Sequence, residues 1–288
     1  MWNSVTSLFA LFPNALLCGM IMAVTCAVFG VFVLLHRVVF ISIALAECAV
    51  CGIAAAALCH IHPFAGAASA CLLAVLFLAM DWENSALPRD AILGTLYAGA
   101  SALSVLLVAR SGMGLLEVKA MLYGDLILAA PADLRLLALV QLPVLGLTIL
   151  FLKPLLYTFL DRNAAQLMKI PVKTVEFLFF LALGLVVSAA SKTGGAMLVF
   201  CYLVVPPAAA LLLSRRLLPV LMLAAGLGIL ATLSGLTWSF HHDLPGNQCI
   251  AVIACIFLTV IFLSKKLVSR LQKSAQPAPS HSQANLNA

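Results

Sequence analysis

The chain has 288 residues, of which 64% are hydrophobic and only 9% are Asp, Glu, Lys or Arg. A soluble domain carries about a quarter charged residues to keep its surface wet, so this composition excludes a soluble fold and makes the bilayer the solvent. The formal charge of +6 is spread between the apolar runs and over the C-terminus. That is the distribution of Lys and Arg retained in cytoplasmic loops, not of a nucleic-acid surface.

The chain opens MWNSVTSLFALFPN, with no basic segment ahead of its first apolar run. No cleaved signal peptide is expected, and that run stays as a span. Apolar runs at 14–35, 40–58, 63–80, 90–109, 136–158, 175–190, 195–213, 217–239 and 250–264 predict an all-α, polytopic transmembrane helical bundle of about 8–9 spans. The stretch 110–135 mixes Arg110, Glu117, Lys119, Asp125 and Asp133 with apolar residues. It reads either as an extracytoplasmic loop with a short helix or as a re-entrant hairpin, which must be covered by protein or line a wet cavity. Residues 1–273 form the membrane domain; the tail 274–288, polar with Pro and Ser, is expected to be disordered and cytoplasmic.

Basic residues set the orientation. Arg162, Lys169 and Lys173, then Arg215 and Arg216, then Lys265, Lys266, Arg270 and Lys273 fall on one side of an alternating topology, which is the cytoplasm. The segments around His60–His62, Lys192 and His241–Asp243 then face outward, and nine spans place the N-terminus outside, whereas eight change that assignment. His36 and Arg37 are expected to anchor a span end at the headgroups. Most of the nine Cys lie in apolar runs, where the thiol acts as a small apolar group. Small residues four apart, Gly66 and Ala70, Gly94 and Ala98, Gly184 and Ser188, suit close helix approach in lipid.

The loop at about 160–173 contains Asp161-Arg162-Asn163-Ala164-Ala165-Gln166-Leu167-Met168-Lys169-Ile170-Pro171. Asp161 can cap a short helix and Pro171 ends it. Such a helix, flat at the cytoplasmic surface, is a docking element for a soluble partner or simply a helical linker.

Further segments carry a resemblance. Lys192-Thr193-Gly194-Gly195 is followed by Leu203-Val204-Val205-Pro206-Pro207-Ala208-Ala209-Ala210, and earlier come Arg89-Asp90-Ala91-Ile92-Leu93-Gly94 and Leu122-Tyr123-Gly124-Asp125. With the loop, and over roughly residues 14–265, this resembles the permeases of ATP-binding-cassette importers for zinc, manganese and iron. The resemblance implies a homodimeric permease in the cytoplasmic (inner) membrane, a pair of cytoplasmic ATPase subunits and an extracytoplasmic metal-binding protein. It also implies that the ATPase docks at the loop, with Asp161, Ala165, Ile170 and Pro171 matching the family's positions. Lys169 stands where the family usually has Gly. In the second span many relatives have an Asp and, four residues on, a His; Ile43 and Glu47 stand there, so that pair does not carry over intact. Independently, the chain has no G-x-x-x-x-G-K-[ST] phosphate loop, so ATP chemistry belongs to another polypeptide and no enzyme activity or permanently bound cofactor is expected.

Candidate metal contacts follow from chemistry. Glu47 is an ionisable side chain inside a span, costly unless paired or wet, and so marks a functional position. Cys51 lies one turn later on the same face, so carboxylate and thiolate can meet one ion; Cys48 is expected to point elsewhere. Structurally, Glu47 could instead hydrogen-bond a neighbouring helix while Cys51 packs. His60 and His62 sit outward of the second span, as intake ligands or as a polar turn, and His241, His242 and Asp243 form a second outward cluster with the same ambiguity. The transported ion is expected to be zinc or manganese, the soft donors leaning to zinc. The rivals are a permease for metal chelates of cobalamin or siderophore type, and an ion-driven secondary transporter, against which the scarcity of intramembrane acids counts.

Overall fold

The computed structural model describes residues 12–80, 88–110, 124, 126–160 and 162–275, and the regular structure of the described residues is all helix, without strands. The helices are α1 Pro13–Leu35, α2 Val39–Leu58, α3 Pro63–Ala79, α4 Arg89–Arg110, α5 Pro131–Leu150, α6 Leu152–Leu160, α7 Arg162–Leu167, α8 Val172–Leu213, α9 Leu217–His242 and α10 Gly246–Ala275. Proline opens α1, α3 and α5, where its fixed φ suits the first turn and its missing N–H costs nothing. Asp133 completes the start of α5 by accepting the Ala130 amide at 3.1 Å. Seven of these helices are long and apolar enough to cross a membrane, and α3 is a shorter apolar helix.

Two spans expected to be separate, 175–190 and 195–213, are joined in α8, and the helical geometry breaks only at Gly195, with φ 70° and ψ 166°. That conformation is open almost exclusively to glycine. The chain folds back there, because both arms reach the same turn of α1. Phe179 of the first arm stacks on Phe29 at 5.4 Å between ring centroids. A Cβ on Gly30, one residue on, would collide with the Leu203 carbonyl of the second arm. With α8 taken as two arms and α3 included, the apolar segments match the nine read from the sequence. The fifth differs: it begins at Pro131 and is divided at Phe151 into α5 and α6.

The centre of the bundle is α1, α2 and α8, and 78% of the most apolar stretch of α1 is buried against 17% of that of α5. Leu16, Met22, Phe29 and Phe32 of α1 and Leu45 of α2 are fully enclosed with Leu183, Leu198, Tyr202 and Leu203 of α8. Close approach depends on glycine at particular crossings. Gly52 of α2 and Gly66 of α3 face each other so tightly that a Cβ on either would strike the other's carbonyl oxygen, which bears out the small-residue reading at Gly66 and Ala70. At Gly94 there is open space instead, with nothing among the described residues for a Cβ there to meet. The C-terminal helix runs to Ala275, two residues into the expected tail; residues 276–288, and with them most of that expectation, lie outside the described residues.

Candidate functional site

Glu47 is on α2, eight residues after the helix starts at Val39 and near its middle. It is buried at 9% exposure, the Ser101 side chain of α4 hydrogen-bonds it, and its Oε2 has no partner among the described residues. A buried carboxylate oxygen left open is costly in an apolar medium. The Ser101 bond is the neighbouring-helix contact that the sequence offered as the alternative reading of Glu47, and it occupies only part of the carboxylate.

The neighbouring thiols are arranged differently from the expectation. Cys48 and Cys51 line the same cavity, about 640 Å³, floored by α2 and walled by Ala70, Leu73 and Phe77 of α3 and by Thr95, Gly99 and Leu103 of α4. Cys48 does not point away from Cys51: residues three apart on a helix are surface neighbours, and that spacing outweighs the four-residue link from Glu47. Among the described residues no three His, Cys, Asp or Glu side chains gather into a group that could hold a metal ion. The Glu47 and Cys51 pair is thus at most part of a site.

The histidines expected to face outward are turn residues. His60 ends α2 with φ 55°, and His62 caps α3, its Nδ1 accepting the Phe64 amide at 3.3 Å. Both are exposed. At about 1.5 Å per residue they stand roughly 20 Å along the helix from Glu47, so they and Glu47 are not one site. His241, His242 and Asp243 close α9, Asp243 with φ 51°, beside a cavity of about 330 Å³ lined by Phe12, Phe240 and Asp243 among others.

A closure missed by sequence reasoning lies at the end expected to face outward. Asn247, 5% exposed at the start of α10, accepts the Leu126 amide through Oδ1 at 3.3 Å and donates Nδ2 to the Gly194 carbonyl at 3.0 Å. Gly124, with φ 62°, lies with its backbone directly on Gly194 and Gly195, where no side chain fits. Lys192 pairs with Asp133 at 2.7 Å, and the Thr193 hydroxyl reaches the Met22 sulfur at 3.4 Å. The 110–135 stretch thus returns into the bundle at Leu126, fully buried in the 3-10 turn Leu126–Leu128. Glu117, Lys119 and Asp125 lie outside the described residues. The Leu122-Tyr123-Gly124-Asp125 and Lys192–Gly195 runs were visible in the sequence; that they touch was not.

At the other end, α7 lies between α6 and α8. Ala165 is fully buried and Ile170 half-buried, while Leu167 is 86% exposed and Met168 57% exposed. Ala165 and Ile170 therefore seat the helix, the Ile170 amide donating to the Ala165 carbonyl at 3.0 Å, and Leu167, Met168 and exposed Pro171 present a surface. Asp161 lies outside the described residues. Lys169 has φ 58°, the left-handed helix-ending position that favours glycine, which accounts physically for the residue usual there in the family it resembles. Above α7, Phe159 of α6 and Phe179 and Phe180 of α8 cluster with Phe32 and His36 of α1. His36 packs on Phe159 at 4.7 Å, so it belongs to this cluster and is not simply a headgroup anchor.

Helices of this length and apolarity, basic residues collected at one end and a short exposed helix at that end define a multi-pass integral membrane protein. Residues 9–265 match the ABC 3 transport family, and the chain belongs to that family. It is 29% identical over 255 residues to the manganese transport system membrane protein MntC of Halalkalibacterium halodurans, covering 88% of this chain and 87% of that one. It is 27% identical over 258 residues to the high-affinity zinc uptake system membrane protein ZnuB of Haemophilus influenzae, covering 89% and 97%. Its fold superposes with a TM-score of 0.83 on PsaBC from Streptococcus pneumoniae solved in complex with a Fab, at 23% identity, covering 91% of this chain and 95% of that one.

Proposed function

We propose that this chain is the permease subunit of an ATP-driven importer of divalent transition metal ions, zinc or manganese, working as a homodimer with a cytoplasmic ATPase and an extracytoplasmic metal-binding protein. The observation that carries the reading is the family match, which runs unbroken through the Glu47 span, the outward closure and the exposed α7 helix. Relatives named for manganese and for zinc are about equally similar, so the ion class is supported above the individual ion.

Glu47 is the intramembrane ligand: one carboxylate with an open oxygen gives a divalent ion an anchor while leaving most of its coordination to water and to groups outside this protomer. Weak, incomplete coordination suits an ion that must also leave. Cys51, one turn on, adds a soft donor that favours zinc. His60 and His62 are the first contacts at the outer mouth, where His62 keeps Nε2 for an ion once Nδ1 has capped α3. The ATPase docks on α7 through Leu167 and Met168, with Ala165, Ile170 and Pro171 fixing the helix and Asp161 at its start.

The test is transport in proteoliposomes holding the permease with its ATPase and binding protein. Radiolabelled zinc or manganese should accumulate only with ATP and all partners, excess free divalent ion should compete, and Glu47→Gln should cut uptake about tenfold or more, a loss of about 1.4 kcal/mol or more. Uptake by the permease alone refutes the reading. So does full uptake by the Glu47→Gln variant for the role of that residue.

A further inference from the structure

Cys48 and Cys51 are both free, and both open into the cavity of about 640 Å³ between α3 and α4. At helical positions three apart their Cβ atoms are about 5–6 Å from each other, a separation two thiols can close on a single atom. The rest of the cavity lining is almost wholly apolar, with Leu73, Phe77 and Leu96 among it. We propose that Cys48 and Cys51 form a dithiol site for trivalent arsenicals carrying one apolar substituent.

Charge selects that class. A complex with net charge in an apolar cavity carries a large desolvation cost. A hard ion such as manganese has little affinity for thiolates. Zinc wants four donors, and no third donor joins this pair among the described residues. A monosubstituted arsenic(III) bound by two thiolates is neutral and needs nothing more. The step balances without an oxidant: two As–S bonds form, both S–H bonds break, and the arsenic's oxygen leaves with the two protons as water while arsenic stays trivalent. The apolar substituent has room, since a cavity of about 150 Å³ already holds benzene. The other thiols are placed less well. Cys71 lies near Cys48 but is 1% exposed, donates to the Leu45 carbonyl at 3.5 Å and does not line this cavity, and Cys201 and Cys255 line none of the cavities described.

The experiment uses the full chain in detergent with stoichiometric phenylarsine oxide, read by intact mass. One adduct per chain is expected, removed by dimercaptopropanol but not by a monothiol at equal thiol concentration. The adduct should vanish in Cys48→Ser and in Cys51→Ser, and persist in Cys71→Ser and Cys201→Ser. Cys48→Ala, which keeps the site apolar, guards against a folding defect, with the elution profile of each variant checked against the parent. No adduct on the parent chain, an adduct surviving in Cys48→Ala or Cys51→Ser, or one lost with Cys201→Ser overturns the proposal.

Discussion

Replacing Asn247 by Ala should loosen the end of the bundle where α10 begins. The side chain serves both the Leu126 amide and the Gly194 carbonyl, and at 5% exposure water cannot simply take its place. Leaving two buried backbone groups unpaired would cost about 2–6 kcal/mol on soluble-protein experience. Side-chain hydrogen bonds in helical membrane proteins contribute less, about 0.6 and at most about 1.7 kcal/mol each. Two of them put the loss at about 1–3 kcal/mol, because the lipid-embedded unfolded state recovers part of the bonding. Taking about 2–4 °C per kcal/mol for a chain of this size, thermal unfolding in detergent, followed by intrinsic tryptophan fluorescence, should shift down by about 2–12 °C. Hydrogen exchange at the Leu126 amide should rise in the same variant, since its acceptor is gone. Thr259→Ala is the control: that exposed hydroxyl only bonds the Cys255 carbonyl of its own helix. If Asn247→Ala melts with Thr259→Ala and Leu126 stays protected, the three segments are not held by Asn247 and the reasoning fails.

Lys169→Gly removes a side chain from a left-handed residue, φ 58°, which costs an ordinary residue roughly 1 kcal/mol; after the extra unfolded-state freedom of glycine, a gain of a few tenths to about 1 kcal/mol should appear as a small rise in melting temperature. Gly195→Ala should do the reverse by about 1–3 kcal/mol, seen as a lower yield of monodisperse protein on size exclusion, because its φ of 70° and ψ of 166° admit no Cβ. Gly52→Ala and Gly94→Ala should part company in the same melting assay. The first drives a methyl into the Gly66 carbonyl and should destabilise, whereas the second enters open space and should be neutral or gain up to about 1 kcal/mol of helix propensity.

What the sequence made legible is whatever lipid demands of every span. Length and apolarity placed the helices within a few residues, since a backbone in hydrocarbon must bond to itself. Glu47 was legible for the same reason, a charge where lipid tolerates none. The pairing of Cys48 with Cys51 was misjudged because four-residue spacing from Glu47 was given more weight than the three-residue neighbour. The fold-back at Gly195 was half legible: the glycines were visible, but only contacts with α1, distant in sequence, show that the two arms lie side by side. Asn247 gave no signal at all. A lone Asn after Pro245-Gly246 looks like an ordinary turn residue, and its role depends on partners 121 and 53 residues away.

The deeper reason is that a membrane removes the contrast by which sequence normally reveals a buried face. Leu16 and Leu45 are enclosed in the core, while Leu106 and Leu139 are 66% and 76% exposed, and all four are the same residue because lipid and core are equally apolar. With no hydrophobic force sorting one face from another, contact choice falls to shape and to scarce polar groups. Gly30 admits the Leu203 carbonyl and Gly52 admits Gly66. The Tyr202 hydroxyl meets Thr232 at 2.6 Å, and as Thr232 itself donates to the Gly228 carbonyl, Tyr202 is the donor that ties α8 to α9. Such contacts are sparse enough that each specifies an interface by itself. Single substitutions at Asn247, Gly52 or Tyr202 should therefore disturb the architecture more than exchanging several leucines on the lipid-facing side of α5.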